Sequence, residues 1–550
     1  MPYPVIPRRD VLRSGLGIAA AALSGRAGAS DWQARDIVHL LPAASQDRFL
    51  IKCSLRRPLS RAPVLRVGDR RIEGVRSDSA GLYWQFHAAG LAPATSYKLE
   101  LRDAEDRMLC DPWPLRTFPA PDSRANSVRV LTFTCAGGYH FPALPGQPEA
   151  FRPLAIRHAL LERALSFAPD VAVANGDHIY WDQRTWFESA NPALREAAQA
   201  IAARFGRLDP SRAPLGSKNE AIIKRLAAPQ IAGVYGTRMR STPMFFVGDD
   251  HDYFENDEAN ERYVTFPPEA PNVAWARTVQ HLFYPEFLPD PNRPSTLPGS
   301  GACDRAEGLS ESFGSLRYGD LLECPIYDCG RFLSLKDRHA GLVPPEVEAW
   351  LIARTAASDT RHAVHMPSHP FGWSAGKWRE WYPDGIAVEP RAGNPGSGSA
   401  TAGTEARLDP DASKYMWQPG WWLQHQRIAR AMSNARRPGV MVSGDLHAVG
   451  SGIIRSSGEE DLARNPIHAV LSGPIGTSRL GWPSAARGMR PTAASRLRMS
   501  GEAPAEKNGF TLLDVDRGSI TVRQFAWREP DPLSAIASLQ PFSTFTIRRN

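Results

Sequence analysis

The chain has 550 residues, 42% of them hydrophobic and 22% charged, with a formal net charge of +7. That length exceeds one ordinary hydrophobic core and favours two or more domains, or one large α/β domain with an appendage; the composition is that of a soluble globular protein. The positive excess favours anionic substrates, but its scattered arginines make no nucleic-acid stripe, so no nucleic-acid-specific binding is expected.

At the N-terminus, Arg8-Arg9-Asp10-Val11-Leu12 precedes an Ala/Gly-rich apolar stretch over residues 14–23, then Arg26 and Ala27-Gly28-Ala29. Residues 1–29 read as a twin-arginine export signal cut after about Ala29; the competing reading is an ordinary helix that starts at a basic patch. Its removal takes away four arginines and one aspartate, leaving +4. This predicts a periplasmic or secreted protein that meets the twin-arginine translocase, which carries folded chains. No later apolar run approaches spanning length, so no membrane span is expected in the mature protein.

Residues 36–120 alternate apolar and polar positions between turn residues, as in Tyr83-Trp84-Gln85-Phe86, and predict a small β-sandwich domain. Within it, residues 90–97 resemble the fibronectin-type pattern in which a tyrosine, here Tyr97, hydrogen-bonds back to the loop before its strand. A linker follows at Pro119-Ala120-Pro121-Asp122.

From 126 to 550 the pattern becomes strands followed by helices. Strands are predicted at 128–134, 171–174, 244–247, 321–327, 363–366, 439–442 and 468–471, helices at 155–167, 345–355 and 420–434, and a hairpin at 510–514 with 520–527. The fold class is α/β, a layered core flanked by helices. Residues 286–301 and 391–405 read as irregular loops. Among six cysteines, Cys53 and Cys110 are candidates to staple the N-terminal module, and Cys303 to pair with Cys324 or Cys329.

Four motifs end strand-like runs: Phe133-Thr134-Cys135, Asn175-Gly176-Asp177-His178-Ile179-Tyr180, Gly248-Asp249-Asp250-His251-Asp252 and Ser443-Gly444-Asp445-Leu446-His447. The carboxyl ends of strands in an α/β sheet share an edge, so these residues can meet at one point. Thiolate, phenolate, carboxylate and imidazole together suit ferric iron beside a second oxygen-loving ion. Cys135, Asp177, Tyr180, Asp250, Asp445 and His447 are the expected metal ligands, with Asp177 placed to bridge. A carboxylate run such as Asp249 to Asp252 is costly at a strand end unless a cation compensates. His251 is expected to hold the phosphoryl oxygen or protonate the leaving group, steered by Asp252 from behind; Asp249 is expected to cap the next turn. Of His362, His365 and His369, one is expected to be functional and two ordinary. Trp417, Trp421 and Trp422 either pack in the core or line a pocket for an apolar leaving group.

These motifs and their order resemble the PhoD-type alkaline phosphatases, a branch of the calcineurin-like metallophosphoesterase superfamily. Asp328-Cys329-Gly330-Arg331-Phe332 resembles that family's Asp-x-x-Arg box, which implies a substrate-binding role for Arg331. The resemblance implies a metallophosphoesterase-like β-sandwich core, Fe3+ with one or two Ca2+ or other divalent metals, and hydrolysis of phosphate monoesters or diesters by a metal-bound hydroxide. Trp181 stands where the family usually has glutamate, and Thr134-Cys135-Ala136 replaces Ser-Cys-Gln, which bears on the calcium shell and substrate preference. Alternatives are a phospholipase or phosphodiesterase on the same scaffold, and a non-enzymatic exported binding protein.

Overall fold

The computed structural model describes residues 32–139, 151–188, 192–255, 267–286, 294, 297, 312–333, 341–357, 359–375, 386–387, 407–408, 419–486, 490–494 and 496–549. The export-signal pattern lies outside them, as do residues 391–405, most of 286–301, Cys303 and Trp417.

A six-stranded sheet and a second layer, in which a four-stranded and a five-stranded sheet are joined by the His365–Met441 bridge, build the larger part of the fold. The first runs Met244–Val247, Val171–Asn175, Ser127–Phe133, Asn508–Asp516, Ser519–Trp527 and Pro541–Arg548. Its first three strands are parallel and the rest antiparallel. The parallel strands are buried along nearly their whole length, as expected of strands covered on both faces. In the second layer, Phe313–Tyr318 and Leu322–Tyr327 lead to the short strands His362–Ala363 and Met366–Pro367. His365 then bridges to Met441 in Gly439–Ser443, which pairs in parallel with Ile467–Ser472; Val449–Ser457 closes on that strand.

The sheets are tied face to face: Gln524 Nε2 donates to Gly450 O (3.0 Å) and Leu471 O (3.1 Å), and Thr511 Oγ1 to Ser472 O (3.0 Å). Each outer face carries its own core. Leu131, Phe133, Ala174 and Leu512 pack with Leu160, Leu161 and Ala164 of helix Leu154–Ser166 and Leu226 of helix Lys218–Gln230. On the other side, Tyr327, Met441 and Ala469 pack with Val347, Trp350 and Leu351 of helix Pro345–Ala356 and Ile428 of helix Pro419–Asn434.

Residues 37–116 form two antiparallel four-stranded sheets, one with the order Ile37–Ala44, Phe49–Leu55, Tyr83–Ala88, Val75–Arg76, the other Arg70–Glu73, Val64–Val67, Ser96–Arg102, Trp113–Arg116. The Ala92 N–H donates to Tyr97 Oη (2.8 Å), the contact the loop pattern implies. The expected Cys53–Cys110 staple is not formed: both are buried free thiols, and so are Cys324 and Cys329. Among the described residues, no helix is long and apolar enough to cross a membrane.

Candidate metal centre

The strands Ser127–Phe133, Val171–Asn175, Met244–Val247 and Gly439–Ser443 all end toward one place, and each hands its chain to a tight turn that carries the polar groups. Four of the side chains concerned sit on left-handed backbone: Cys135 (φ 48°), Asp177 (62°), Asp445 (62°) and His447 (49°). Such conformations cost on the order of 1–3 kcal/mol each away from glycine and cluster at functional sites. The turns pack so closely that side chains are excluded beside them. Gly176, at φ 85°, would place a Cβ 2.7 Å from Asp249 Cβ.

Five of the six expected ligands fall in three candidate ligand groups, and the sixth, Tyr180, hydrogen-bonds Asp177. The ligand atoms of Cys135, Asp177 and His447 lie within 4.8 Å of one another, as do those of Asp177, Asp250 and His251, and those of Asp249, His369 and Asp445. Asp177 is common to the first two groups. Cys135 Sγ stands 3.2 Å from Asp177 Oδ2, and the Tyr180 hydroxyl donates to the same Oδ2 at 2.9 Å while lying 3.3 Å from His447 Nε2. His447 Nδ1 is held by Gly481 O at 2.5 Å, which turns Nε2 inward.

The support of His251 differs from expectation. Its Nδ1 meets Asp182 Oδ1 at 2.8 Å, so Asp182 steers the imidazole. Asp252 is turned the other way: its carboxylate accepts the backbone N–H groups of Asp177 (2.9 Å), His178 (2.8 Å), Ile179 (3.0 Å) and Asp249 (2.9 Å). An acceptor-only carboxylate saturated by amides fixes the two turns against each other.

Asp249 is the N-cap residue of the short turn Asp250–Tyr253 and also belongs to the cluster, a second part that its position in the sequence does not show. Its Oδ1 takes the Ser368 hydroxyl at 3.0 Å and lies 3.5 Å from His369 Nδ1. Of the three histidines, His369 is the one at the site; His362 bonds Asp516 O (2.7 Å) and His365 bonds Thr355 Oγ1 (2.9 Å). Arg331 Nη1 donates to Ser312 Oγ (3.0 Å), and its turn lies against the cluster's backbone, since a Cβ on Gly330 would be 2.6 Å from Asp249 C.

Burial and mutual repulsion push these acids toward their neutral forms. Asp177 is raised well above the usual carboxylate range by burial first and then by Asp250, Asp249 and Asp445. Burial, then Asp177, raises the Cys135 thiol and the Tyr180 phenol. Burial lifts Asp249 to about 6 against the opposing pull of His369. For His251 burial disfavours the charged ring, but the neighbouring carboxylates, Asp182 foremost, outweigh it and hold the imidazole well above its ordinary value. A dense buried set of anionic groups is stable when a cation supplies the missing charge. Asp177 Oδ1 and Asp249 Oδ2 are buried with no hydrogen-bond partner, so both have acceptor capacity for metal ions. The donors fit a hard, highly charged ion beside an oxygen-preferring one.

The chain matches no protein-family model and no curated protein. Among solved structures it is similar to PhoD, at 12% identity and a TM-score of 0.54, over 93% of this chain and 90% of that one. It is also similar to the purple acid phosphatase PPD1 from yellow lupin (Lupinus luteus) seeds, at 13% identity and a TM-score of 0.50, over 94% of this chain and 75% of that one. The mixed α/β architecture of the described residues is therefore the PhoD-like fold that the resemblance of the strand-end motifs implies.

Proposed function

We propose that the chain is an exported metal-dependent phosphoesterase that hydrolyses phosphate monoesters, diesters or both. One observation carries the reading: the buried Asp177 carboxylate belongs at once to a group with Cys135 and His447 and to a group with Asp250 and His251, the placement a bridging ligand requires. Fe3+ with Ca2+ is the proposed pair, on the strength of the thiol and phenol on one side of Asp177 and the Asp250 carboxylate on the other. When bound, such ions supply Lewis-acid neutralisation of phosphoryl charge and activate water for in-line attack.

The chain's own groups supply the rest. Cys135, Tyr180 and His447 would hold one side of the centre and Asp250 the other, with Asp445 contributing beside Asp249 and His369. Asp182 on Nδ1 orients His251, leaving Nε2 as the nitrogen for a phosphoryl oxygen or the leaving group. Export rests on the twin-arginine pattern of residues 1–29, and fibronectin-like kinship of the N-terminal sheets on the Tyr97 contact.

The test is elemental analysis of the isolated protein together with a panel of monoester, diester and phospholipid substrates. Asp177→Asn should abolish turnover of a chromogenic phosphate ester with the far-UV spectrum intact. Retained turnover refutes the bridging role, and a colourless, metal-free active protein refutes the metal centre.

A further inference from the structure

We propose that Thr134 is a positioning residue for the metal centre, its hydroxyl tying together the three strand ends that deliver Cys135, Asp177 and Asp445. This rests on the metal-centre reading above.

Thr134 is buried and lies between the last residue of strand Ser127–Phe133 and Cys135. Its Oγ1 donates to Asn175 O at 2.6 Å, accepts the Asp445 N–H at 3.2 Å and lies 3.2 Å from Cys135 Sγ. A hydroxyl has one hydrogen and two lone pairs. The hydrogen goes to the turn that leads into Asp177, and one lone pair takes the amide of Asp445 itself. All three ligand residues around this single oxygen have positive φ. Each turn is therefore strained, and the hydroxyl is a point where three strained turns are held to a common spacing.

The backbone of Thr134 is fixed separately. Its N–H donates to Gly473 O (3.0 Å), and its carbonyl accepts the Ile475 N–H (3.1 Å). Loss of the hydroxyl thus leaves the strand end in place and releases the spacing of the ligand turns. Room for the hydroxyl is built in: a Cβ on Gly444 would meet the Asn175 carbonyl and come within 2.5 Å of Thr134 Oγ1. Nothing larger than glycine fits between the Thr134 oxygen and the Asp445 turn.

The experiment compares Thr134→Val, which keeps the shape and loses the hydroxyl, with Thr134→Ser, which keeps the hydroxyl. Metal-stripped full-length proteins are titrated with Mn2+ alone, followed by its electron paramagnetic resonance, and their thermal midpoints are read with and without the ion. T134V should bind Mn2+ roughly 10- to 100-fold more weakly, the usual consequence of losing a group that orients metal ligands. T134S should stay within a few-fold of wild type. The metal-free midpoint of T134V should stay close to that of metal-free wild type, while its gain on adding Mn2+ shrinks. T134V binding Mn2+ as wild type does, or T134S failing as badly as T134V, overturns the proposal. So does a T134V whose metal-free form melts far below wild type or cannot be recovered folded, because the role is then structural. A wild-type protein that holds no metal as isolated and binds no Mn2+ defeats the metal-centre reading itself, before any variant is compared.

Discussion

His251 can serve a phosphoryl group only if one nitrogen is fixed and the other presented, and Asp182 does the fixing from a nearly solvent-free position. Asp182 meets the imidazole, so its loss should act on turnover. Asp182→Asn should lower kcat by roughly 10- to 100-fold with KM changed only a few-fold, measured by steady-state hydrolysis of a chromogenic ester. A raised KM with kcat untouched would show Asp182 to be a binding residue instead. The candidate cluster was legible in the sequence because its residues follow apolar runs with acidic or sulfur-bearing turns, and burying such groups together has few explanations besides a cation. Asp182 was not legible. It lies 69 positions from His251, and only the packing of two turns makes it a nearer partner than Asp252 next door. Asp252 shows the opposite hazard, since sequence adjacency suggests a pairing that the backbone amides win.

The helices of the first core clamp the turns of the site. Arg157, on Leu154–Ser166, is buried and sends Nη1 to Ala136 O (3.1 Å), Gly137 O (2.7 Å) and Gly138 O (2.8 Å), just past Cys135. Gln230, the last residue of Lys218–Gln230, offers Oε1 to the N–H groups of Gly138 (2.7 Å) and Tyr180 (2.8 Å). Helix Lys218–Gln230 is anchored in turn by Glu220, which takes the Ser79 N–H (3.0 Å), the Gly216 N–H (2.7 Å) and the Lys224 ammonium. Burial opposes ionisation of Glu220, but these donors, Lys224 first, prevail and bring it from 4.5 down to about 2. A depressed carboxylate contributes stability that is whole above its unfolded value and disappears as pH falls through its folded one. Glu220→Gln should therefore cost about 1.5–3 kcal/mol at neutral pH. In urea melts the difference from wild type should hold down to about 4.5 and close toward about 2. A pH-independent difference would mean that packing, not charge, is lost. Leu154–Ser166 was legible from its apolar spacing, and the parallel strands from their unbroken apolar runs. Lys218–Gln230 is absent from the helices the sequence predicts: it carries Pro229 inside it, although Ser217 caps it by accepting the Asn219 N–H. Strand Val449–Ser457 hides for a similar reason: its glycines and serines remove the alternation, and Gly452 is needed where Met499 and the Ser500 carbonyl crowd its place.

At the scale of the molecule, the sequence shows a change of pattern near residue 120 that invites a linker between independent parts, but the contacts across it are buried and polar. His39 Nε2 pairs with Phe283 O at 2.7 Å, the Leu40 N–H donates to Gly236 O at 3.0 Å, and Lys52 Nζ reaches His281 O at 2.7 Å and Glu286 at 3.3 Å. The Lys52 and Glu286 side chains are 0% and 2% exposed. No alternation pattern reveals such a seam, because a lysine inside a strand reads as a solvent-facing position. A buried charge deprived of its partner is strongly destabilising, so the seam makes each part costly to unfold while the other persists. Calorimetry should accordingly show one transition for residues 34–550, which form a single compact unit, with loss of ester hydrolysis and of the N-terminal sheet signal at the same temperature. Lys52→Ala, which leaves the Glu286 carboxylate without that ammonium, should lower stability by roughly 3–5 kcal/mol and move the whole transition rather than split it. Two resolved transitions in the wild type, or a Lys52→Ala protein that loses the N-terminal sheets while still hydrolysing ester at full rate, would show that the sheets of residues 37–116 are an appendage and not part of what holds the metal centre in shape.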